Sequence, residues 1–373
     1  MNRALVVSSF LVNFFLLNLF LSLLFFGGFL ALERFRPAKS SQPRSNLLLY
    51  SLALPPILAY VILVASLVPP VLILEDRGLP LLFSVSHPYH HLCLFHSSAN
   101  LPASPIFRGI LVSSLLLIGF SFFRAFASYL KIQGSLGWLM KNRTILPGME
   151  DLPSEMQSLL REFRETEGIE LRLIKASFPV SFLSGIFRPQ VILSSSLLQT
   201  LSPPQVRTLL QHELAHRLRK DNLLQFLLSF CKNLLFISPT GHLLFRWWRQ
   251  EAELLCDEIA IQRTARPLDL AEALFRIQKA MVGRKDSRIQ PILQSAFFHP
   301  DASHTLVERR IRNILRFCDQ DLIRPQVFSP PASPLVGLVA LATLCFLLLS
   351  LLDLWLNPLF LHCQLERIIR CLV

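Results

Sequence analysis

Long apolar runs separated by short charged segments dominate this chain. Residues 4–32 and 47–74 contain no charged side chain, and each run exceeds the roughly 20 residues that cross a hydrocarbon core ~30 Å thick. A shorter third run lies between two arginines whose side chains can snorkel to the membrane surface, which predicts a span at about 107–129. A fourth span is predicted at about 334–356. The pattern therefore predicts a multi-pass α-helical membrane protein.

The charges between the predicted spans indicate an orientation. Residues 33–46 contain four Lys or Arg and one Glu, whereas residues 75–106 contain two acidic residues and one Arg. Because cytoplasmic loops are enriched in basic residues, we expect the N-terminus outside and the long segment after the third span inside. The chain then divides into an N-terminal membrane domain (1–130), a cytoplasmic domain (131–330), and a fourth span with a short tail (331–373).

Shorter periods of polar and apolar residues follow the third predicted span. Residues 153–168 predict an amphipathic helix that ends at a glycine, and the alternation in 169–176 predicts a half-buried strand. Residues 178–194 predict two short strands around a second glycine. The next helix begins with Ser202 as its N-cap and Gln205 at the capping-box spacing. These elements predict an α+β domain in the cytoplasmic segment.

Composition supports the membrane assignment and excludes some other functions. The chain is 52% hydrophobic and 17% charged, with a mean hydropathy of +0.47 and a net charge of +12. No basic–aromatic motif accompanies this charge, so we expect membrane lipid and no nucleic acid as a partner. The seven cysteines lack the spacing of a disulfide framework or a structural zinc site. The stretch "HPYHHLCLFH" (87–96) lacks acidic partners, which favours an ordinary loop over a metal or pH sensor.

The stretch "QHELAHRLRKDN" (211–222) has the residues of a catalytic metal site. On a helix, His212 and His216 share one face and can bind the same ion. Glu213 is placed to act as general base on a water at that ion. Catalytic zinc takes three protein ligands and leaves one position open, so a third ligand must come from another element.

A second helix, predicted from "RQEAELLCDEIA" (249–260), offers that third ligand. Glu253 and Asp257 are four residues apart on one face, which suits a zinc ligand and a carboxylate that orients a ligand histidine. Glu251 and Glu258 point elsewhere, and we expect them on a solvated surface.

Residues 223–248, between the two motifs, predict a helix–turn–helix hinged at "SPTG". Two full spans are disfavoured because Lys232 at a span centre would cost ~2.5–3.5 kcal/mol. The apolar face is expected to pack on the domain or to rest on the membrane. The arm from His216 to the hinge is much longer than the arm back to Glu253, so we expect it to kink, break or turn early.

The region of about 175–260 resembles the membrane zinc metallopeptidases of the BlaR/MecR antirepressor type. The likeness lies in "GIFRPQVILSSSLLQTLSPPQVRTLLQHELAHRLRKDN", in "FISPT" and in "RQEAELLCDE". The Cys256–Asp257 pair separates the chain from the related HtpX and CAAX prenyl protease groups, and "FFHPDASHTLVERRIRNIL" (297–315) resembles a segment that both groups share. Ser194 and Ser238 depart from the usual Pro and Asn.

The resemblance implies a multi-pass membrane protein with an inserted α+β, gluzincin-like metallopeptidase domain. Zn²⁺ would be bound by His212, His216 and Glu253, with Glu213 as the base. Asp257 would support the ligands, and Arg310 would stabilise an oxyanion or, as we prefer, serve packing. An edge strand would bind the peptide substrate by β-augmentation; its residues are Gln190, Val191, Ile192 and Leu193.

We therefore expect an inner-membrane zinc endopeptidase that cleaves a cytosolic protein, for instance a transcriptional repressor, in signal transduction. The sequence leaves no room after the fourth span for a penicillin-binding sensor domain, which argues against β-lactam sensing. Two alternatives remain open at this stage. One is an HtpX-like quality-control protease for membrane proteins, and the other is a non-catalytic membrane receptor or scaffold that keeps the fold.

Overall fold

The computed structural model describes most of the chain in several ranges. These are residues 3–35, 41–75, 112, 116, 119–130, 152–235, 238–281 and 303–319. Side chains are described within these ranges except at residues 3–13, 62–75, 303–305 and 319. The predicted fourth span and the histidine-rich stretch lie outside the described residues.

Helices dominate the described residues, and a small sheet accompanies them. The helices are α1 (Arg3–Phe35), α2 (Ser41–Glu75), α3 (119–130), α4 (Ser154–Glu167), α5 (Ser195–Thr200), α6 (Pro203–Arg219), α7 (Asp221–Leu234), α8 (Pro239–Thr264), α9 (Pro267–Met281) and α10 (Ser303–Asp319). The strands are β1 (Glu170–Ile174), β2 (Ser181–Ser184) and β3 (Gln190–Ser194).

Among the described residues, one helical segment is both long enough and apolar enough to cross a membrane. It is Phe14–Phe35 of α1, with a mean hydropathy of 2.3. The second predicted span falls within the single long helix α2, and part of the third is helical in α3. Whether these two helices cross a membrane stays a prediction.

The three-stranded sheet corrects one prediction. Its order is β1-β3-β2, with β3 parallel to β1 and antiparallel to β2. The predicted substrate strand, residues 190–193, is therefore the central strand, and both of its edges are already hydrogen-bonded. Its almost continuous apolar run is typical of a central strand covered on both faces. A proline in this region favoured an edge strand at the level of sequence, but Pro189 precedes β3 and takes no part in its ladder.

Helix α6 forms as its sequence predicts. Ser202 and Gln205 make the capping box, and the helix ends at Lys220, which has a left-handed backbone with φ of 57°. α7 starts at the next residue, so the long arm is broken at Lys220. α7 and the part of α8 from Pro239 to Glu253 are then nearly equal in length, about 21 Å each. This break satisfies the length constraint derived from the sequence.

Two of the hydrophobic clusters among the described residues lie on opposite sides of the site. One joins the sheet to α4, α5, α6 and α9, with residues such as Leu160, Val191 and Leu210 at its centre. The other joins α1 and α2 to the α7–α8 hairpin through residues such as Leu52 and Trp248. Helix α8 takes part in the second cluster and also supplies residues to the candidate metal centre.

Glu251 and Glu258 are buried rather than solvated, contrary to expectation. Glu251 forms ion pairs with Arg44 at the start of α2 and with Arg309 of α10. Glu258 accepts hydrogen bonds from the backbone N–H and the hydroxyl of Ser41. The prediction failed because the start of α2 covers this face of α8, a long-range contact that the local sequence does not show.

Candidate metal centre

Two histidines and one glutamate converge at the end of α6 and the middle of α8. The Nε2 atoms of His212 and His216 are 3.2 Å apart. The carboxylate oxygens of Glu253 lie 3.6 and 3.7 Å from them. Tetrahedral zinc with bonds of 2.0–2.1 Å requires ligand atoms about 3.3 Å apart. The donor set and its spacing therefore fit one metal ion with three protein ligands.

A carboxylate contacts the Nδ1 atom of each histidine. Asp257 Oδ1 lies 2.9 Å from His212 Nδ1, and Asp221 Oδ2 lies 2.8 Å from His216 Nδ1. Such contacts fix the tautomer that leaves Nε2 available to a metal and make the ring a stronger ligand. Asp257 was among the sequence-predicted site residues. Asp221 was not, although it lies in the quoted stretch, because only the break at Lys220 turns it towards the site.

Arg310 reaches the site from α10 and is fully buried. Its Nε and Nη2 atoms donate to the two carboxylate oxygens of Asp257 at 2.8 and 2.7 Å. Its Nη1 atom lies 3.2 Å from Glu253 Oε2. One side chain thus holds a ligand and the carboxylate that orients another ligand. These contacts are those of a positioning residue, and the bidentate geometry explains why arginine rather than lysine occupies the position.

A second cluster of potential ligands surrounds His216 Nδ1. Its members are His216, Asp221 and Cys256, whose sulfur lies 3.3 Å from the ring nitrogen. Arg219 Nε donates to both oxygens of Asp221 at 3.1 Å, which places a positive charge where a second cation would bind. Burial raises the pKa of the Cys256 thiol well above its usual range, so it stays protonated. The cluster therefore orients His216 rather than forming a second metal site.

Glu213 lies between the metal-ligand cluster and the sheet. It is completely buried, and its Oε1 accepts a hydrogen bond of 2.8 Å from Ser181 Oγ of β2. Its Oε2 has no hydrogen-bond partner among the described residues. Burial raises the pKa of this carboxyl, against the lowering effect of the two ligand histidines. A carboxylate with a raised pKa and a free oxygen is suited to accept a proton near neutral pH.

The metal-free site is an electrostatic network. Burial alone would lower the pKa of His212, but hydrogen bonds to Asp257 and Glu253 raise it to about 9. Burial alone would raise the pKa of Asp257. The charges and hydrogen bonds of Arg310 and His212 outweigh this effect and lower the pKa to about 2. The pKa of Glu253 is lowered by the same neighbours despite its burial. A bound cation would replace the proton on His212 within an environment that already favours positive charge.

A cleft opens beside the metal-ligand cluster, and β2 forms one wall. Glu213, His216 and Glu253 line it together with residues from three elements, which are Phe182, Leu183, Asp221, Asn222, Gln225, Trp248, Arg249 and Ala252. The Asn222 amide donates to the carbonyl oxygens of Leu183 and Gly185 at 3.2 and 2.8 Å. Ser181 and Asn222 were missed from the sequence because polar residues in strands and at helix starts are common and carry no distinctive spacing.

This chain is similar to a known family and to a known protein. A family model described as BlaR1 peptidase M56 matches residues 131–293. The regulatory protein BlaR1 of Bacillus licheniformis is 26% identical over 185 residues, which are 49% of this chain and 29% of that relative. The chain thus spans less than a third of that relative's length. The matched segment contains the three converging side chains and Glu213, whereas Arg310 lies beyond it.

Proposed function

We propose that this chain is a membrane-bound zinc endopeptidase. The match of residues 131–293 to the family model described as BlaR1 peptidase M56 supports this proposal. The observation that carries the proposal is the convergence of His212, His216 and Glu253 beside the buried carboxylate of Glu213. Zinc held by these three side chains would supply Lewis-acid activation of water and of the peptide carbonyl.

Glu213 performs the proton transfers of the proposed hydrolysis. Its free oxygen accepts a proton from the attacking water as the new C–O bond forms at the scissile carbonyl. It then delivers that proton to the amide nitrogen as the C–N bond breaks, which releases a neutral amine. Ser181 holds the other oxygen in place during both steps. Arg310 and Asp257 keep the ligands oriented and do not touch the reacting atoms.

The open edge of β2 is the proposed binding site for the peptide backbone. Val180 accepts a hydrogen bond from Ser194 of β3, so the alternate residues Ser181 and Leu183 direct their backbone groups away from β3. This outer edge lines the cleft and bears no further strand within the described part of the chain. An extended peptide pairing with it would lie beside Glu213.

The proposed substrate is a cytosolic protein whose cleavage transmits a signal. Support comes from the relative, which is named a regulatory protein, and from the basic loops, whose composition is typical of the cytoplasmic side. A transcriptional repressor is the substrate that we propose on this basis. Multi-pass insertion in the cell membrane belongs to the same proposal.

Substrate trapping tests this function. We expect full-length Glu213→Gln, purified with zinc, to retain a protein partner that wild-type enzyme cleaves at least 10²-fold faster than the variant does. Glu272→Gln, on an exposed face of α9, is the matched control and should neither trap partners nor lose activity. The proposal fails if the wild-type protein binds no zinc or cleaves none of the trapped partners. A trapped set of damaged membrane proteins would indicate quality control instead.

A further inference from the structure

The α7–α8 hairpin packs along the helices that are predicted to cross the membrane. Near its tip, Asn18 of α1 donates to the carbonyl of Leu234, and Ser22 hydrogen-bonds Ser238 at 2.7 Å. On its other side, Asn233 donates to the carbonyl of Ser121 in α3. The tip therefore contacts α1 well inside its apolar run, and it contacts α3 within the predicted span, three residues before Arg124.

The depth of the tip follows from its contacts with two helices. Ser22 lies ten residues, about 15 Å of helix, before the predicted cytoplasmic end of the first span. Ser121 lies eight residues, about 12 Å, from the cytoplasmic end of the third span. Helix α1 places the tip about halfway across a hydrocarbon core of ~30 Å, and α3 places it within the cytoplasmic half.

We propose that α7 and α8 form a re-entrant hairpin that enters the cytoplasmic half of the lipid bilayer and contacts lipid directly. The partner of the outer surface of the hairpin is the acyl-chain region of the lipid. This lipid contact goes beyond the proposed peptidase function. Glu253 lies about 21 Å along α8 from the tip, hence about 6–9 Å beyond the hydrocarbon border. The polar head-group layer is about 5–8 Å thick on each side. The metal-ligand cluster therefore lies at the level of the head groups.

Lipid demands that backbone polar groups be satisfied inside the protein, and the described residues on both sides of the turn make such bonds. The N–H groups of Leu235 and Ser238 donate to the carbonyls of Cys231 and Leu235 at 3.0 and 2.8 Å. The hydroxyl of Ser238 bonds both Ser22 and Thr240. Asn18 and Ser22 are themselves buried in this contact, which explains two polar residues in the middle of an apolar helix.

The charged residues of the hairpin are compatible with this depth. The Lys232 ammonium lies 4.7 Å from the centroid of the Phe245 ring, and cation–π attraction is strongest where water is excluded. Arg246 is exposed about 10 Å along α8 from Pro239, within snorkelling distance of the head groups. Between these positions, Leu243 exposes 41% of its surface on the outside of the hairpin, where lipid would cover it.

Photo-crosslinking to lipid tests the hairpin without requiring catalysis. The full-length protein is placed in vesicles of phosphatidylethanolamine and phosphatidylglycerol, with benzoylphenylalanine at Leu243 or, as a second position, at the exposed His242. We expect lipid adducts by mass spectrometry at either position. The control is benzoylphenylalanine at Leu268, which is 63% exposed on α9, some 40 Å of helix from the tip, and should give none.

The outcomes separate this proposal from the peptidase function. Protein adducts or no adducts at both hairpin positions, in variants that melt like the wild type, would overturn the insertion while leaving the metal chemistry intact. Equal lipid adducts at Leu243 and Leu268 would also overturn it. Lipid adducts confined to the hairpin support it even if no substrate is ever cleaved.

Discussion

At the scale of single residues, Arg310 has the largest influence on the candidate centre because it contacts both Asp257 and Glu253. We expect Arg310→Lys to weaken zinc binding by about 10–100-fold, since lysine cannot make the paired hydrogen bonds to Asp257. Competition with a chelator measures the affinity. Arg312→Lys on the exposed face of α10 is the matched control and should leave it unchanged. Equal affinities for both variants would contradict the positioning role.

The raised pKa of His212 predicts a pH-dependent stability of the metal-free protein. Its pKa is about 9 in the fold and near 6.5 when unfolded, so the fold binds the proton more tightly. This stabilisation is complete below pH 6.5 and is lost as the pH rises through 9. We expect Tm of the metal-free protein to fall by about 5 °C or more over that window. Saturating zinc should abolish the fall, and a flat Tm without metal would be inconsistent with the His212–Asp257 contact.

At the scale of elements, the sheet decides where a peptide can bind. Leu183→Pro removes an N–H that points away from β3, so the ladder within the sheet stays intact. We expect KM for the trapped substrate to rise roughly 5- to 10-fold with kcat unchanged, as for the loss of one hydrogen bond. Phe182→Pro removes a ladder hydrogen bond and should instead lower Tm. If Leu183→Pro leaves KM unchanged, the outer edge of β2 does not bind substrate.

The local sequence predicted α6 in detail and the sheet only in part. The capping box, the shared face of the histidines and the spacing of Glu253 and Asp257 are properties of single helices, which sequence patterns report directly. The order of three strands depends on which strand the neighbouring helices cover. The five residues of β3 do not by themselves distinguish an edge strand from a central strand. Their almost continuous apolar run indicates a central strand, whereas the preceding Pro189 favoured an edge strand. Asp221 was missed for a similar reason, since its role depends on a backbone break.

At the scale of the whole molecule, Glu251 of α8 links the start of α2 to α10 through Arg44 and Arg309. The glutamate is buried, whereas the two arginines are about one-third exposed or more, so solvent screens part of the interaction. We expect Glu251→Gln to lower the free energy of unfolding by about 1–3 kcal/mol, measured by denaturant titration in detergent. Glu272→Gln should change it by less than about 0.5 kcal/mol. Equal effects would show that the link contributes nothing specific.

The position of the hairpin between the ligands has a consequence for the folding of the chain. His216 precedes the hairpin and Glu253 follows its tip, so an ion bound by both would close a loop between residues that are 37 positions apart in the chain. In the entropic account of covalent crosslinks, closing a loop of that size raises the free energy of the unfolded chain by about 4 kcal/mol. The metal would then stabilise the folded hairpin in addition to its role in catalysis. A newly made chain that acquires zinc would become committed to the hairpin, whereas a chain without it could withdraw the hairpin from the bilayer.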